Sequence, residues 1–169
     1  NRTLGLSNYS NDNKTSPTFH LNTYRTLGDI RIGTTTADAH DIIRGSKFSP
    51  LENAVVYNIT AYVYSTSSPS SPTYQCMIYN VSDDHLIGYT DQVVVDDTGW
   101  MTFTFATKPL LYKNTAYMLA IWGNNNNAKV YATPLTDGEN AYHADYVFGT
   151  LPSVVDWDVI VDAQQYSLF

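Results

Sequence analysis

Val55-Val56-Tyr57-Asn58-Ile59-Thr60-Ala61-Tyr62-Val63-Tyr64 alternates with a period of two. Successive side chains of a strand point to opposite faces. Val55, Tyr57, Ile59, Ala61 and Val63 therefore fall on one side, and Val56, Asn58, Thr60, Tyr62 and Tyr64 on the other. The first set suits a core. The second is rich in Tyr and Thr, and suits water or a flat, weakly polar ligand such as a sugar. That face points to binding rather than to chemistry.

The same texture continues downstream. Thr73 to Tyr79, His85 to Val95, Trp100 to Ala106 and Ala116 to Trp122 read as strands, joined by connectors rich in Ser, Pro, Asn, Asp or Gly. Lys129 to Thr133, Tyr142 to Phe148, Asp158 to Val161 and Gln165 to Phe169 complete the expected set. Asp96-Asp97-Thr98-Gly99 carries hairpin turn chemistry with Gly99 free to take positive φ, and Asn124 to Asn127 reads as another loop tip. No stretch offers a sustained apolar stripe at helical spacing, and Ala37 to Ile43 has room for one turn at most. The pattern predicts an all-β, two-sheet antiparallel β-sandwich. Upstream, Leu27 to Gly33 reads as an edge strand between glycines, followed by a polar loop from Thr34 to Asp41. Residues 1–23 are polar and broken, with a short strand expected at Thr18 to Leu21. They form a linker or N-terminal arm ahead of a sandwich domain over 24–169.

Bulk properties narrow the function. A chain of 169 residues suits one domain with a real core. A formal charge of -7 with nine Lys plus Arg argues against nucleic acid, which needs a basic stripe. The acidic balance also disfavours anionic membrane surfaces, and no apolar run approaches the roughly 18 residues that span a bilayer. A single cysteine, Cys76, rules out an internal disulfide and reads as a buried structural thiol. A chain opening on Asn1 is expected to be a mature product or an excised piece. Five Asn-x-Ser/Thr triplets, at Asn1, Asn8, Asn13, Asn58 and Asn80, permit N-glycosylation in a secretory route but arise readily by chance in such a composition.

Several segments resemble jelly-roll β-sandwich modules of secreted or surface proteins. These are Gly45-Ser46-Lys47-Phe48-Ser49-Pro50, Val56 to Tyr62, Cys76-Met77-Ile78-Tyr79, Gly99-Trp100-Met101-Thr102-Phe103, Pro109-Leu110-Leu111 and Asn114 to Ala120. The likeness covers roughly Tyr24 to Phe169 and consists of framework motifs, which speak to fold and location more than to ligand. Modules of this shape are often carbohydrate-binding appendages of glycoside hydrolases, and others are cell-surface domains. Many carry a structural calcium ion, which makes calcium the cofactor to seek, although no calcium signature is matched here residue by residue.

Sugar binding needs planar aromatics to stack on pyranose C–H faces, with amides and carboxylates for the hydroxyls. Trp122 lies beside the Asn124 to Asn127 loop, on the face of Met118 and Ala120; its alternative role is a core-rim indole. Trp157 stands between Asp156 and Asp158. Tyr131, Tyr142 and Tyr146 lie in a region with Asp137, Glu139, Asn140, His143 and Asp145. Trp100 shares a face with Thr102 and Thr104 while Met101, Phe103 and Phe105 look inward, and its Gly-Trp framework context points to packing. The expected carbohydrate contacts are Trp122, Trp157, Tyr131 and Tyr142, with Asn125 and Asp156 as polar partners, from loops converging at one end of the sandwich. Tyr57, Tyr79 and Tyr117 read as core or rim.

Catalysis finds little support. Glu52 and Glu139 are the only glutamates, and neither sits in a recognisable motif for paired-carboxylate hydrolysis. Asp83-Asp84 and Asp96-Asp97 lie in turn contexts. His20, His40, His85 and His143 are widely separated, and Asp38-Ala39-His40-Asp41, the densest metal-like cluster, reads as a polar loop. The expectation is a non-catalytic, extracellular polysaccharide-binding module linked to other domains of a larger protein. The alternative is a structural or adhesive surface domain that holds another protein or spaces a stalk.

Overall fold

The computed structural model describes residues 25–66, 70–135, 141–159 and 164–169. Expectations placed on the 1–23 arm, on Thr18 to Leu21, on His20, on Asp137, Glu139 and Asn140, and on Val161 lie outside the described residues. In chain order the strands are β1 (Thr35–Asp38), β2 (Ile42–Phe48), β3 (Ala54–Val55), β4 (Asn58–Tyr64), β5 (Thr73–Asn80), β6 (Leu86–Tyr89) and β7 (Val93–Val94). They continue with β8 (Gly99–Thr104), β9 (Leu110–Leu111), β10 (Tyr117–Gly123), β11 (Lys129–Pro134), β12 (Ala141–Asp145), β13 (Asp158–Val159) and β14 (Gln164–Tyr166). No helix occurs among the described residues.

Two antiparallel sheets form the sandwich. The first runs β1-β11-β4-β8, with β14 also paired to β11. The second runs β13-β12-β2-β10-β5-β6, with β7 also paired to β5. From β4 onward the long strands cross from one sheet to the other: β4, β8 and β11 lie in the first, and β5, β10 and β12 in the second. That alternation is the jelly-roll way of closing two sheets on one core.

Period-two alternation sorts the side chains as expected for most strands. Ile59, Ala61 and Val63 of β4 and Phe103 of β8 meet Tyr74, Cys76, Ile78, Leu119 and Ile121 of the second sheet in the central core. A second apolar cluster lies on the other face of the second sheet: Ile43, Met77, Tyr79, Met118, Ala120 and Trp122 pack under Tyr146, Phe148, Leu151 and Trp157. Strand β10 is buried along its whole length because both its faces are covered. Gly45 of β2 makes the close layer possible, since a Cβ there would lie 2.6 Å from Met118 Cγ and 3.2 Å from Trp157 Cη2.

The segment 146–157 is thus a strap across the second sheet, and its anchors are polar. Asp41 accepts the Tyr146 amide on its carbonyl at 3.0 Å and the Phe148 amide on Oδ1 at 2.8 Å. Trp122 Nε1 donates to the Tyr146 carbonyl at 2.9 Å, and Leu86 N donates to Ser153 O at 2.9 Å. The Asp38 to Asp41 loop, densest in metal-type residues, is therefore a clasp. Asp41 holds φ 54°, a region that favours Asp and Asn over other non-glycine residues. Replacing Asp41 by Ala is expected to cost about 1–3 kcal/mol through the unsatisfied amide and the backbone strain, with Asp41→Asn close to neutral. Urea midpoints, together with hydrogen exchange rising selectively across 146–157, check this; uniform exchange across the chain would count against the clasp.

Several boundaries differ from the sequence reading. The stretch Ala54 to Tyr64 is broken at Val56-Tyr57, because Ala54 and Val55 leave β4 to pair with Leu111 and Leu110. The alternation changes phase there: Val55 and Tyr57 are exposed, while Val56 packs on the core. Tyr57 is therefore not a core residue. Leu27 to Gly33 forms no strand; instead Asp29 closes on Arg31, accepting its backbone amide at 3.0 Å and its guanidinium at 2.8 Å. The strand lies one step later, at β1, where a polar loop was expected and where pairing with β11 decides the outcome. Asp96 to Gly99 joins different sheets rather than closing a hairpin, and Gly99 stays outside the left-handed region. Strand β12 stops at Asp145, where the strap begins.

Candidate functional site

The two outer faces of the sandwich differ. The strap closes one. The other, the outer face of the first sheet, carries the side chains that alternation turns away from the core. The β4–β8 ladder sets Asn58 opposite Thr104, Thr60 opposite Thr102 and Tyr62 opposite Trp100. Two polar rungs thus lead to an aromatic one. The Thr60 and Thr102 hydroxyls are hydrogen-bonded at 3.1 Å.

The aromatic rung extends sideways into a row. Tyr62 meets Trp100 at 5.2 Å between ring centroids and 82° between planes, and meets Tyr131 of β11 at 4.9 Å and 86°. Trp100 also touches Phe169 at 5.2 Å and 62°. Edge-to-face contacts of this kind hold rings in fixed orientation. All four rings are half-buried, so each is supported by its neighbours and still reaches solvent. Backbone bonds seat Phe169 beside β4: Thr60 N donates to Phe169 O at 2.6 Å and Phe169 N to Thr60 O at 2.9 Å. Tyr64 continues the face, with Lys129 Nζ 5.6 Å from its ring centroid. Beneath it, Tyr74 reaches across the core from the second sheet, and its hydroxyl accepts the Lys129 amide at 2.8 Å. Burial pushes the Tyr74 hydroxyl pKa far up, so it serves as a neutral cross-brace.

The six residues expected to bind sugar do not converge. Trp122 is 0% exposed, tilted against Phe148 at 4.8 Å, and a ring with no accessible surface has no stacking face. Tyr142 is 9% exposed in the same cluster, with Lys47 Nζ 3.2 Å from its hydroxyl. Trp157 is half-buried, closing that cluster edge-on to Tyr79 at 5.6 Å. Asn125 braces its loop and ties it to the segment before β5: its Oδ1 accepts the Asn127 amide at 2.9 Å, and its Nδ2 donates to Ser71 O at 3.3 Å. Asp156 is exposed next to the Asp83-Asp84 turn. Only Tyr131 stands on the open aromatic face. Trp100 and Tyr62 are its partners there; alternation places both on the non-core side of their strands, and the pairing of β4 with β8 sets them opposite each other.

Among the described residues no group of three or more His, Cys, Asp or Glu gathers to hold a metal ion, which leaves the calcium expected from the resemblance without such a cluster there. Glu52 is exposed and paired with Arg25 at 2.8 Å. Cys76 is buried, and desolvation raises its pKa, which suppresses the thiolate. Asp84, with φ 56°, has its pKa raised first by burial and then by the charges of Asp156 and Asp83. The folded state therefore holds that proton more tightly than the unfolded chain, and ionisation costs stability at neutral pH. Asp84→Asn is expected to raise Tm slightly at pH 7. The gain should shrink as pH falls through the raised value and vanish below the ordinary carboxylate range. Thermal melts of both proteins from pH 3 to 8 test the sign, and a gain that grows in acid refutes it.

No protein-family model matches the chain, and no curated protein matches it.

Proposed function

We propose that this domain is a non-catalytic carbohydrate-binding module of an extracellular protein, and that its binding face is the outer surface of the first sheet. The observation that supports this reading is the half-exposed row Tyr131, Tyr62 and Trp100, flanked by the Thr60–Thr102 and Asn58–Thr104 rungs. Rings offer stacking surfaces to the C–H faces of a pyranose, and neighbouring hydroxyls and amides take up its hydroxyl groups. The rings are already ordered by one another, so little side-chain entropy is lost on binding. Retention of the protein on immobilised polysaccharides, with a blue shift of tryptophan emission on titration with the soluble polymer, is the expected result. No retention above that of a Tyr62→Ala, Trp100→Ala double variant removes the proposal.

A second reading, an adhesive surface domain, draws on a different place. A shallow groove of about 310 Å³ is lined by Ile87, Gly88, Tyr89, Asp91, Ala106, Thr107 and Pro109, with Ile87 and Tyr89 exposed. Exposed apolar surface of this sort marks contacts with another macromolecule. The aromatic face ranks first because it combines stacking and hydrogen-bonding groups in fixed register, whereas nothing in the groove selects a partner.

A further inference from the structure

Resting on the carbohydrate-binding reading, we infer that the ligand is a neutral glycan chain laid across the strands, and that acidic glycans are excluded. The direction follows from topology. Tyr131, Tyr62 and Trp100 belong to β11, β4 and β8, so the row runs across the first sheet rather than along one strand. Its steps of 4.9 and 5.2 Å carry one ring per strand, and an extended oligosaccharide following the row meets three aromatic side chains in succession.

Exclusion of acidic glycans follows from charge. A uronate or sulfate on the ligand needs an uncommitted cation, and on or beside this face the described Lys and Arg are already engaged. Lys129 lies over the Tyr64 ring, its Nζ 5.6 Å from the centroid, and its neighbour across the β1–β11 ladder is the acidic Asp38. Arg31 is closed on Asp29 at 2.8 and 3.0 Å and donates to Gln165 at 3.2 Å. Asp29 and Gln165 satisfy that guanidinium, so recruiting it for a ligand means breaking a bidentate pair. At the Trp100 end, Asp96 and Asp97 are exposed immediately before β8 and carry the same sign as an acidic glycan. What remains along the row is hydroxyl and amide: Asn58, Thr60, Thr102 and Thr104. The formal charge of -7 adds long-range repulsion toward polyanions.

The test compares polymers that differ only in charge. Soluble glucan, mannan and galactan are each offered unsubstituted and after oxidation of their C6 hydroxyls to carboxylates, using the full chain at low and high salt. At least one neutral polymer should bind, and its oxidised form should bind at least tenfold more weakly at low salt, with the gap narrowing as salt screens the repulsion. A size series of the preferred oligosaccharide should gain affinity up to about three sugar units and then level off, matching the three rings in the row. Equal or tighter binding of an oxidised polymer overturns the inference while leaving the binding face intact. Affinity that is complete with a single sugar overturns the cross-strand placement. Absence of binding by any neutral polymer, or binding untouched by Trp100→Ala, removes the underlying reading and this inference together.

Discussion

Trp122→Ala is expected to lower folding stability by about 3–5 kcal/mol and Tm by on the order of 10 °C. The indole is completely buried between the second sheet and the strap, against Phe148, so its removal opens a cavity in a layer held together by few anchors. It also strands the Tyr146 carbonyl, which accepts the indole N–H at 2.9 Å. Trp122→Phe separates the two contributions. It keeps an apolar ring and loses the hydrogen bond, for an expected cost of about 1–2 kcal/mol. Calorimetric melts of the three proteins give the ranking. If Trp122→Ala melts like the parent, the strap is not part of the cooperative fold. If it stays folded and loses polysaccharide binding specifically, then this indole rather than the open face meets the ligand.

The contrast between Trp122 and Trp100 shows what the sequence could and could not reveal. Alternation correctly grouped Trp122 with Met118 and Ala120, opposite Tyr117, Leu119 and Ile121, and the two sets are two different apolar clusters. Alternation says nothing about what covers the second set. That is decided by residues 146–157, a segment without strand period whose placement rests on Asp41, more than 100 residues earlier (Phe148 N to Asp41 Oδ1, separation 107). Long-range bonds from side chain to backbone leave no local signature. The opposite face was legible, because Thr60, Tyr62, Thr102 and Trp100 each lie on the non-core side of a clean strand. Only the register that sets Tyr62 against Trp100 was missing. The phase change at Val56-Tyr57 was hidden for a similar reason. Ala54 and Val55 look like the start of β4 until Leu110 and Leu111 compete for them, and that competition brings together residues more than fifty positions apart.

Trp100→Ala is expected to weaken polysaccharide binding roughly ten- to hundredfold, the loss typical of removing a central aromatic anchor, equivalent to about 1.4–2.8 kcal/mol. Structural damage must be separated from lost contact, because Trp100 packs edge-on to Tyr62 and against Phe169, and loses those contacts too. Each such ring pair contributes about 0.5–1.5 kcal/mol, so a modest fall in Tm accompanies the change. Trp100→Phe preserves a stacking face on the same strand and should restore most of the affinity, which a purely structural role for the indole does not predict. Emission supplies an independent readout. Trp122 is sealed from solvent and Trp157 belongs to the opposite side of the sandwich, so the ligand-induced shift should belong to Trp100 alone. It should persist in Trp157→Phe and disappear in Trp100→Phe, even though the latter still binds. A shift that survives Trp100→Phe and vanishes with Trp157→Phe moves the ligand to the strap side. In that case the Tyr and Thr of the first sheet are a solvated surface and nothing more.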